Sequence, residues 1–209
     1  MTAVVAFVSQ KGGVGKSTLS RALAREVAAG GLSVKIADLD TQQGTSVDWH
    51  RARLAAQIEP RVSVEAFGTA GQALAASERF DLLIIDGPAR TSQATLEIAR
   101  SANLVVQPTG ASLDDLRPGV REFHALVKAG IPNERLAFAL NRIGTAAEES
   151  DARDFLHDAG YTVLDGSLLE RPAYRLAQNG GSSVTETRFA GLNVKADKLI
   201  QSLIDKATA

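Results

Sequence analysis

A chain of 209 residues, 44% hydrophobic and 22% charged, has the composition of a folded globular protein and the length to bury a sizeable core. Its formal net charge of −1 excludes bulk positive charge as a means of holding nucleic acid and leaves only a local basic patch for that purpose. Having no cysteine, it excludes disulfides, thiol catalysis, thiolate zinc sites and cysteine-held iron–sulfur clusters.

The stretch from Met1 to Ser9 is apolar, has no basic residue ahead of its apolar run and passes into glycines without a small-residue cleavage site, so a strand is expected there and not a signal peptide. Short β-rich runs then alternate with segments of helical period. The expected order is strand Ala3–Val8, helix Ser17–Ala29, strand Ser33–Ala37, helix Thr45–Ala56, strand Val62–Phe67, helix Ala70–Ser77, strand Leu82–Ile85 and helix Ser92–Ala102. Strand Leu104–Gln107, helix Asp114–Ala129, strand Leu136–Leu140, helix Glu148–Ala159 and strand Thr162–Leu164 follow. This alternation predicts an α/β fold, a mostly parallel twisted sheet with helices on both faces, in one domain covering residues 1–209. Asn179–Ser183 reads as a loose stretch. Asn193–Ala207 places Val194, Leu199, Ile200, Leu203 and Ile204 on one face of a last helix docked on the domain. That segment lacks the basic charge and aromatic anchor of a membrane-surface helix, and no apolar run approaches the ~20 residues needed to cross a bilayer. A cytoplasmic protein off the membrane is expected.

The chemistry begins where the first strand meets the first helix. Gly12, Gly13, Val14, Gly15, Lys16, Ser17 and Thr18 form a glycine loop in a strand–loop–helix context. Glycine lets backbone N–H groups curl around phosphate oxygens, and the helix beginning at Lys16 turns its positive end toward them. Lys16 reaches the β- and γ-phosphates as a point charge, and the Ser17 hydroxyl suits Mg²⁺. Leu82–Ile85 is apolar at every position and ends in Asp86, the physical form of a strand that delivers a carboxylate to a metal-bound water. Asp38 and Asp40 lie at i and i+2 after the second strand and point the same way if extended. One is then free to organise the phosphate loop or metal shell while the other orients attacking water.

Lys11 precedes the usual lysine by five residues, and Lys11-Gly12-Gly13-Val14-Gly15-Lys16-Ser17-Thr18 resembles the deviant Walker A motif of the ParA/MinD ATPases. The resemblance extends to Asp38-Leu39-Asp40-Thr41-Gln42, similar to that family's Asp-x-Asp-Pro-Gln with Thr41 in place of proline, and to Asp86-Gly87-Pro88 at its Walker B and switch positions. It implies ATP and Mg²⁺ as cofactors, with weak ATP hydrolysis stimulated by a partner. Lys11 would reach the nucleotide of a second subunit in an ATP-bound homodimer, Asp40 would position water, and Asn141 and Pro172 would cradle adenine. Short members of the family look like cargo positioners that bind DNA nonspecifically and take a ParB-like adaptor. Arg171, Arg175, Arg188, Lys195 and Lys198 are the basic side chains available for DNA, with nucleoid association in the ATP state. The competing expectations are a phosphate-loop synthetase activating a small substrate, and a MinD-like membrane regulator. His50, His124 and His157 lack metal-ligand spacing. Trp49 is expected to pack, and Arg51 and Arg53 to form a solvated face.

Overall fold

A computed structural model describes residues 2–89 and 92–208; Met1 and Ala209, the ends of the expected 1–209 domain, lie outside the described residues. Seven strands, β1 (Ala3–Phe7), β2 (Val34–Asp38), β3 (Ser63–Ala66), β4 (Leu82–Asp86), β5 (Leu104–Thr109), β6 (Leu136–Leu140) and β7 (Thr162–Val163), pair in the order β3-β2-β4-β1-β5-β6-β7. Every pairing is parallel. The helices are α1 (Lys16–Ala29), α2 (Thr45–Ala55), α3 (Ala70–Ala75), α4 (Ser92–Ser101), α5 (Leu113–Lys128), α6 (Ala146–Asp158), α7 (Pro172–Asn179) and α8 (Ala190–Thr208). The α/β fold expected from the alternation is the fold observed.

Strand periodicity divides the apolar residues between two cores. On β1, Val5 and Phe7 join Leu82 and Ile84 of β4 under α1, α2 and α8, where Leu19, Leu23, Trp49, Leu199 and Leu203 pack. Val4, Ala6 and Val8 join Leu83 and Ile85 on the other face under α4, α5 and α6, with Ile98, Phe123 and Leu156. The rings of Phe123, Phe138 and Tyr161 pack there in tilted and edge-to-face arrangements with centroids 4.4 to 5.8 Å apart. Because β1 and β4 are buried on both faces, they read as unbroken apolar runs, as central parallel strands must. α8 docks through Ala196, Leu199, Ile200 and Leu203, with Ile204 partly buried, but Val194, expected on the same face, is exposed.

Two expectations are corrected. Arg53 is not part of a solvated face: it is 1% exposed, and all five of its N–H donors are used. They serve Glu186 at 2.7 and 3.1 Å, the Gly181 carbonyl at 3.1 Å and the Pro60 carbonyl at 3.1 Å. Arg51 is exposed and pairs with Asp48. The face of α2 that carries Arg53 meets the segment between α7 and α8, a contact across some 130 residues that local pattern cannot show. The apparently loose residues 179–183 are tied down by the same contact: Trp49 donates from its indole nitrogen to the Ser182 carbonyl at 3.0 Å. At Gly181 (φ +83) a Cβ would sit 2.3 Å from the Arg53 backbone nitrogen, so only glycine lets the two segments meet.

Candidate nucleotide site

The carboxyl ends of β1, β2, β4 and β6 open onto one cleft, as ligand sites of open parallel sheets do where strand order reverses. A cavity of about 380 Å³ there is lined by Gly12, Gly13, Gly15, Lys16, Ser17 and Thr18, together with Asp40, Gln43, Thr45 and Gly87. Arg21, Arg142, Arg175, Gln178 and Asn179 complete its wall. A side pocket of about 90 Å³ continues from it between Asn141, Arg142, Leu168, Leu169, Tyr174 and Val184.

The glycine loop takes its shape from backbone conformations costly to other residues. Gly15, the residue before α1, has φ +114, and a Cβ on it would meet the Asn141 amide nitrogen at 2.0 Å. That amide donates to the Val14 carbonyl at 2.6 Å. Asn141 thus holds the loop from below and lines the side pocket with the rest of its side chain. Val14 itself is buried and contributes its backbone. Lys16, 8% exposed, donates to the carbonyls of Ser9 and Lys11, both at 3.3 Å, and makes no ion pair among the described residues. Burial lowers its pKa, against the attraction of Asp86, Asp40 and Glu122. A buried ammonium held only by carbonyls is short of an anion.

Asp86 is its counterpart. The carboxyl is fully buried, and burial pushes its pKa up to about 6, with the Ser46 hydroxyl opposing the shift by donating to Oδ2 at 2.7 Å. Its Oδ1 has no hydrogen-bond partner among the described residues. Ser17 sits across from Thr45, oxygen to oxygen 3.0 Å. An orphaned, buried carboxylate oxygen beside a serine hydroxyl at a phosphate loop is a donor set that fits Mg²⁺.

Asp38 and Asp40 do not share an orientation. Asp38 is buried and spends Oδ1 on the Asp40 N–H at 3.1 Å and Oδ2 on the N–H groups of Ser46 and Val47, at 3.0 and 3.4 Å. It caps the positive end of α2 and does not line the cavity. Asp40 does line it, in a turn closed by the Gly44 N–H on the Asp40 carbonyl at 2.7 Å. The turn begins at Asp40, after Leu39 has donated to the Asp86 carbonyl at 3.0 Å, so the two carboxylates serve different partners although the chain runs on past Asp38. Pro172, expected in a loop covering adenine, is the exposed first residue of α7 and lines neither cavity. Proline is tolerated there because the first-turn N–H has no intrahelical acceptor, which is why a proline that reads as a loop signal opens a helix. Lys11 is half exposed, lies outside the cavity lining, and pairs with Asp115 on α5.

The sequence reading gives no role to Arg142 or Arg21, and it offers Arg175 for DNA alone. Arg142 directly follows Asn141 with φ +58, and its guanidinium approaches Gly13. Arg175 lines the same mouth and pairs with Glu170. Arg21, on α1 and 8% exposed, lies against the deep carboxylates. Only the position of Arg21, four residues after Ser17 on one helix face, was available to find any of them. The five basic residues put forward for DNA are all exposed.

The family model of the CobQ/CobB/MinD/ParA nucleotide binding domain matches residues 5–184. Comparison with curated proteins finds no match. Among solved structures, the septum site-determining protein MinD of Pyrococcus horikoshii OT3, complexed with Mg-ADP, is 18% identical with a TM-score of 0.76, over 97% of this chain and 96% of that one. An ATP complex of McdA from Cyanothece is 19% identical with a TM-score of 0.72, over 97% and 96%. Cobyrinic acid a,c-diamide synthase of Mycobacterium smegmatis, with an ATP analog and magnesium, is 21% identical with a TM-score of 0.69, over 98% and 94%. Likeness at these identities establishes the fold, and the sequence match establishes more: the chain belongs to the CobQ/CobB/MinD/ParA nucleotide-binding family.

Proposed function

We propose that this chain is an ATP-driven positioning switch of the ParA type, one ATPase unit that binds Mg-ATP and pairs into a homodimer in that state. In this reading it then holds DNA nonspecifically and releases it after a ParB-like adaptor stimulates hydrolysis, moving a plasmid, chromosome or other cargo. The observation that carries the reading is the contrast between the two loop lysines. Lys16 is buried in the cavity without a carboxylate partner, whereas Lys11 is half exposed and turned toward Asp115 outside it. A lysine outside its own cavity supports a role at the nucleotide of a second subunit, comparable to that of an arginine finger.

In hydrolysis the loop amides of residues 12–17 and Lys16 hold the triphosphate. Ser17 and Asp86 would hold Mg²⁺, which when bound would supply charge neutralisation for the phosphates. Asp40, on the cavity wall, orients the attacking water, whose oxygen bonds to the γ-phosphorus as the bond to the β–γ bridging oxygen breaks, giving ADP and phosphate. Arg142, Asn141 and Tyr174 line the side pocket, which in this reading takes the base. Arg171, Arg175, Arg188, Lys195 and Lys198 supply the phosphate contacts to DNA.

Light scattering with ATP and with ADP, beside a phosphate-release assay, tests the switch. Asp40→Ala should hold the dimer with ATP and stop turnover, and Lys11→Ala should retain most nucleotide binding but lose dimer-dependent hydrolysis. Equal dimer fractions of Asp40→Ala in the two nucleotides would overturn the switch. A salt-steep DNA affinity in ATP that vanishes in ADP tests the DNA matrix. The cobyrinic synthase shares the fold, but Lys11 and the Asp38-Leu39-Asp40 segment favour the switch over a synthetase.

A further inference from the structure

Arg21 belongs to no motif, yet it is buried on the cavity wall among Asp86, Asp38 and Asp48. Its Nε donates to Ser46 Oγ at 3.3 Å and its Nη1 to Gln178 Oε1 at 3.1 Å. Ser46 Oγ is 2.7 Å from Asp86 Oδ2, and Gln178 Nε2 is 3.4 Å from Thr18 Oγ1. These four contacts make one chain from the carboxylate at the end of β4, through α2 and α1, to α7 and back to the phosphate loop.

The direction of every bond in that chain follows from one fact: a guanidinium can only donate. Ser46 must therefore accept from Arg21, so its single hydroxyl proton is left for Asp86 Oδ2. Oδ1 becomes the free acceptor of that carboxylate, in accord with its being the unpartnered oxygen. On the other arm Gln178 must turn its carbonyl to Arg21 and its amide nitrogen to Thr18. Thr18 then accepts, and its hydroxyl proton is released toward the cavity that it lines. One cation thus presents a lone pair where a metal is to be held and a proton where a phosphate oxygen is to be held. A neutral residue leaves both arms free to reverse.

We propose that Arg21 is a positioning residue that fixes the polarity of both arms, presenting Asp86 Oδ1 to Mg²⁺ and the Thr18 hydroxyl to the nucleotide. The proposal rests on the Mg-ATP reading above. Residues that orient metal ligands are typically worth 10–100-fold in metal affinity. Lysine cannot substitute, because one ammonium lacks the planar fork that spans Ser46 and Gln178 together.

The test is calorimetric titration of ATP into the whole protein, once in EDTA and once in MgCl₂, with circular dichroism of each variant. Ser46→Ala should lose about tenfold or more of the Mg²⁺-dependent gain in affinity and keep its affinity in EDTA. Gln178→Leu should weaken binding by a similar factor in both buffers and keep the ratio between them. Arg21→Met and Arg21→Lys should show both losses. Restoration of both by Arg21→Lys, or a Mg²⁺ ratio unchanged in Ser46→Ala, would overturn the proposal. If Arg21→Met does not fold, the contrast between Ser46→Ala and Gln178→Leu decides alone. Failure of the unaltered protein to bind ATP in either buffer would instead sink the Mg-ATP reading.

Discussion

Two regions of this molecule bury charge, and they bury it differently. Around Glu186, Arg53 and Arg25 the pairing is complete. Both carboxylate oxygens accept from arginine, every donor of Arg53 is used, and Ser183 adds its N–H at 2.7 Å. At the cleft the pairing is unfinished: Lys16 has carbonyls and no anion, and Asp86 has one oxygen with no partner. The Trp49 ring adjoins both, 5.4 Å from the Arg53 guanidinium carbon and 5.7 Å from that of Arg21. Completed buried charge is structure, and incompletely paired buried charge in a cleft marks a candidate functional site.

The largest effect should come from breaking the completed side. Arg53→Met leaves Glu186 buried with reduced compensation and should cost roughly 3–5 kcal/mol in denaturant unfolding, with little change in ATP affinity in molecules that remain folded. A loss under about 1 kcal/mol would mean that this network is no more than surface pairing. On the unfinished side Lys16→Ala should cost ATP affinity about a hundredfold, close to 2.7 kcal/mol. The ligand-free fold should hardly notice, since only two carbonyl contacts are lost.

Asp86→Asn should do what no substitution at Glu186 can, and stabilise the ligand-free protein. The folded carboxyl titrates at about 6 against an ordinary 3.8, so the folded state holds the proton more tightly than the unfolded. Stability therefore falls as pH rises from about 4 to about 6, and the cost is complete above that. Thermal unfolding at pH 7.5 should show a gain of about 1–2 kcal/mol for Asp86→Asn that fades toward pH 4, with Mg²⁺-dependent nucleotide binding lost. Glu186, held below the usual carboxylate range by its arginines and the Ser183 N–H although burial opposes them, should give the opposite slope. Its contribution is present at neutral pH and lost as pH falls through its lowered pKa. Smallest of all, Asp115→Ala removes an exposed pair and should move stability by less than about 1 kcal/mol. Its informative readout is the dimer fraction in ATP, which should rise if Asp115 competes for Lys11.

Much of this was legible in the residues. The loop at 11–18 and Asp86 at the end of an apolar strand are local signals, because glycine conformation, helix polarity and strand burial act within a few neighbours. They located the cleft and the fold class. The spacing of Asp38 and Asp40 does not reveal that the Asp38 carboxylate is taken up by the N–H groups of Ser46 and Val47 at the start of α2, because that contact depends on how the turn from Asp40 to Gly44 brings α2 back. α7 escaped notice because Pro172 is as permissible at the start of a helix as in a loop.

By itself the sequence determined the parallel α/β architecture, the glycine loop between β1 and α1 and the acid that ends β4, since each follows from the period, polarity and conformational freedom of adjacent residues. Only the tertiary structure decided which arginine is structural and which faces the cleft. Arg21 and Arg53 are alike as buried helix residues beside Trp49, and they differ in partners 128 to 157 positions away. Electrostatic completion is a property of where distant segments meet, and no local pattern encodes it.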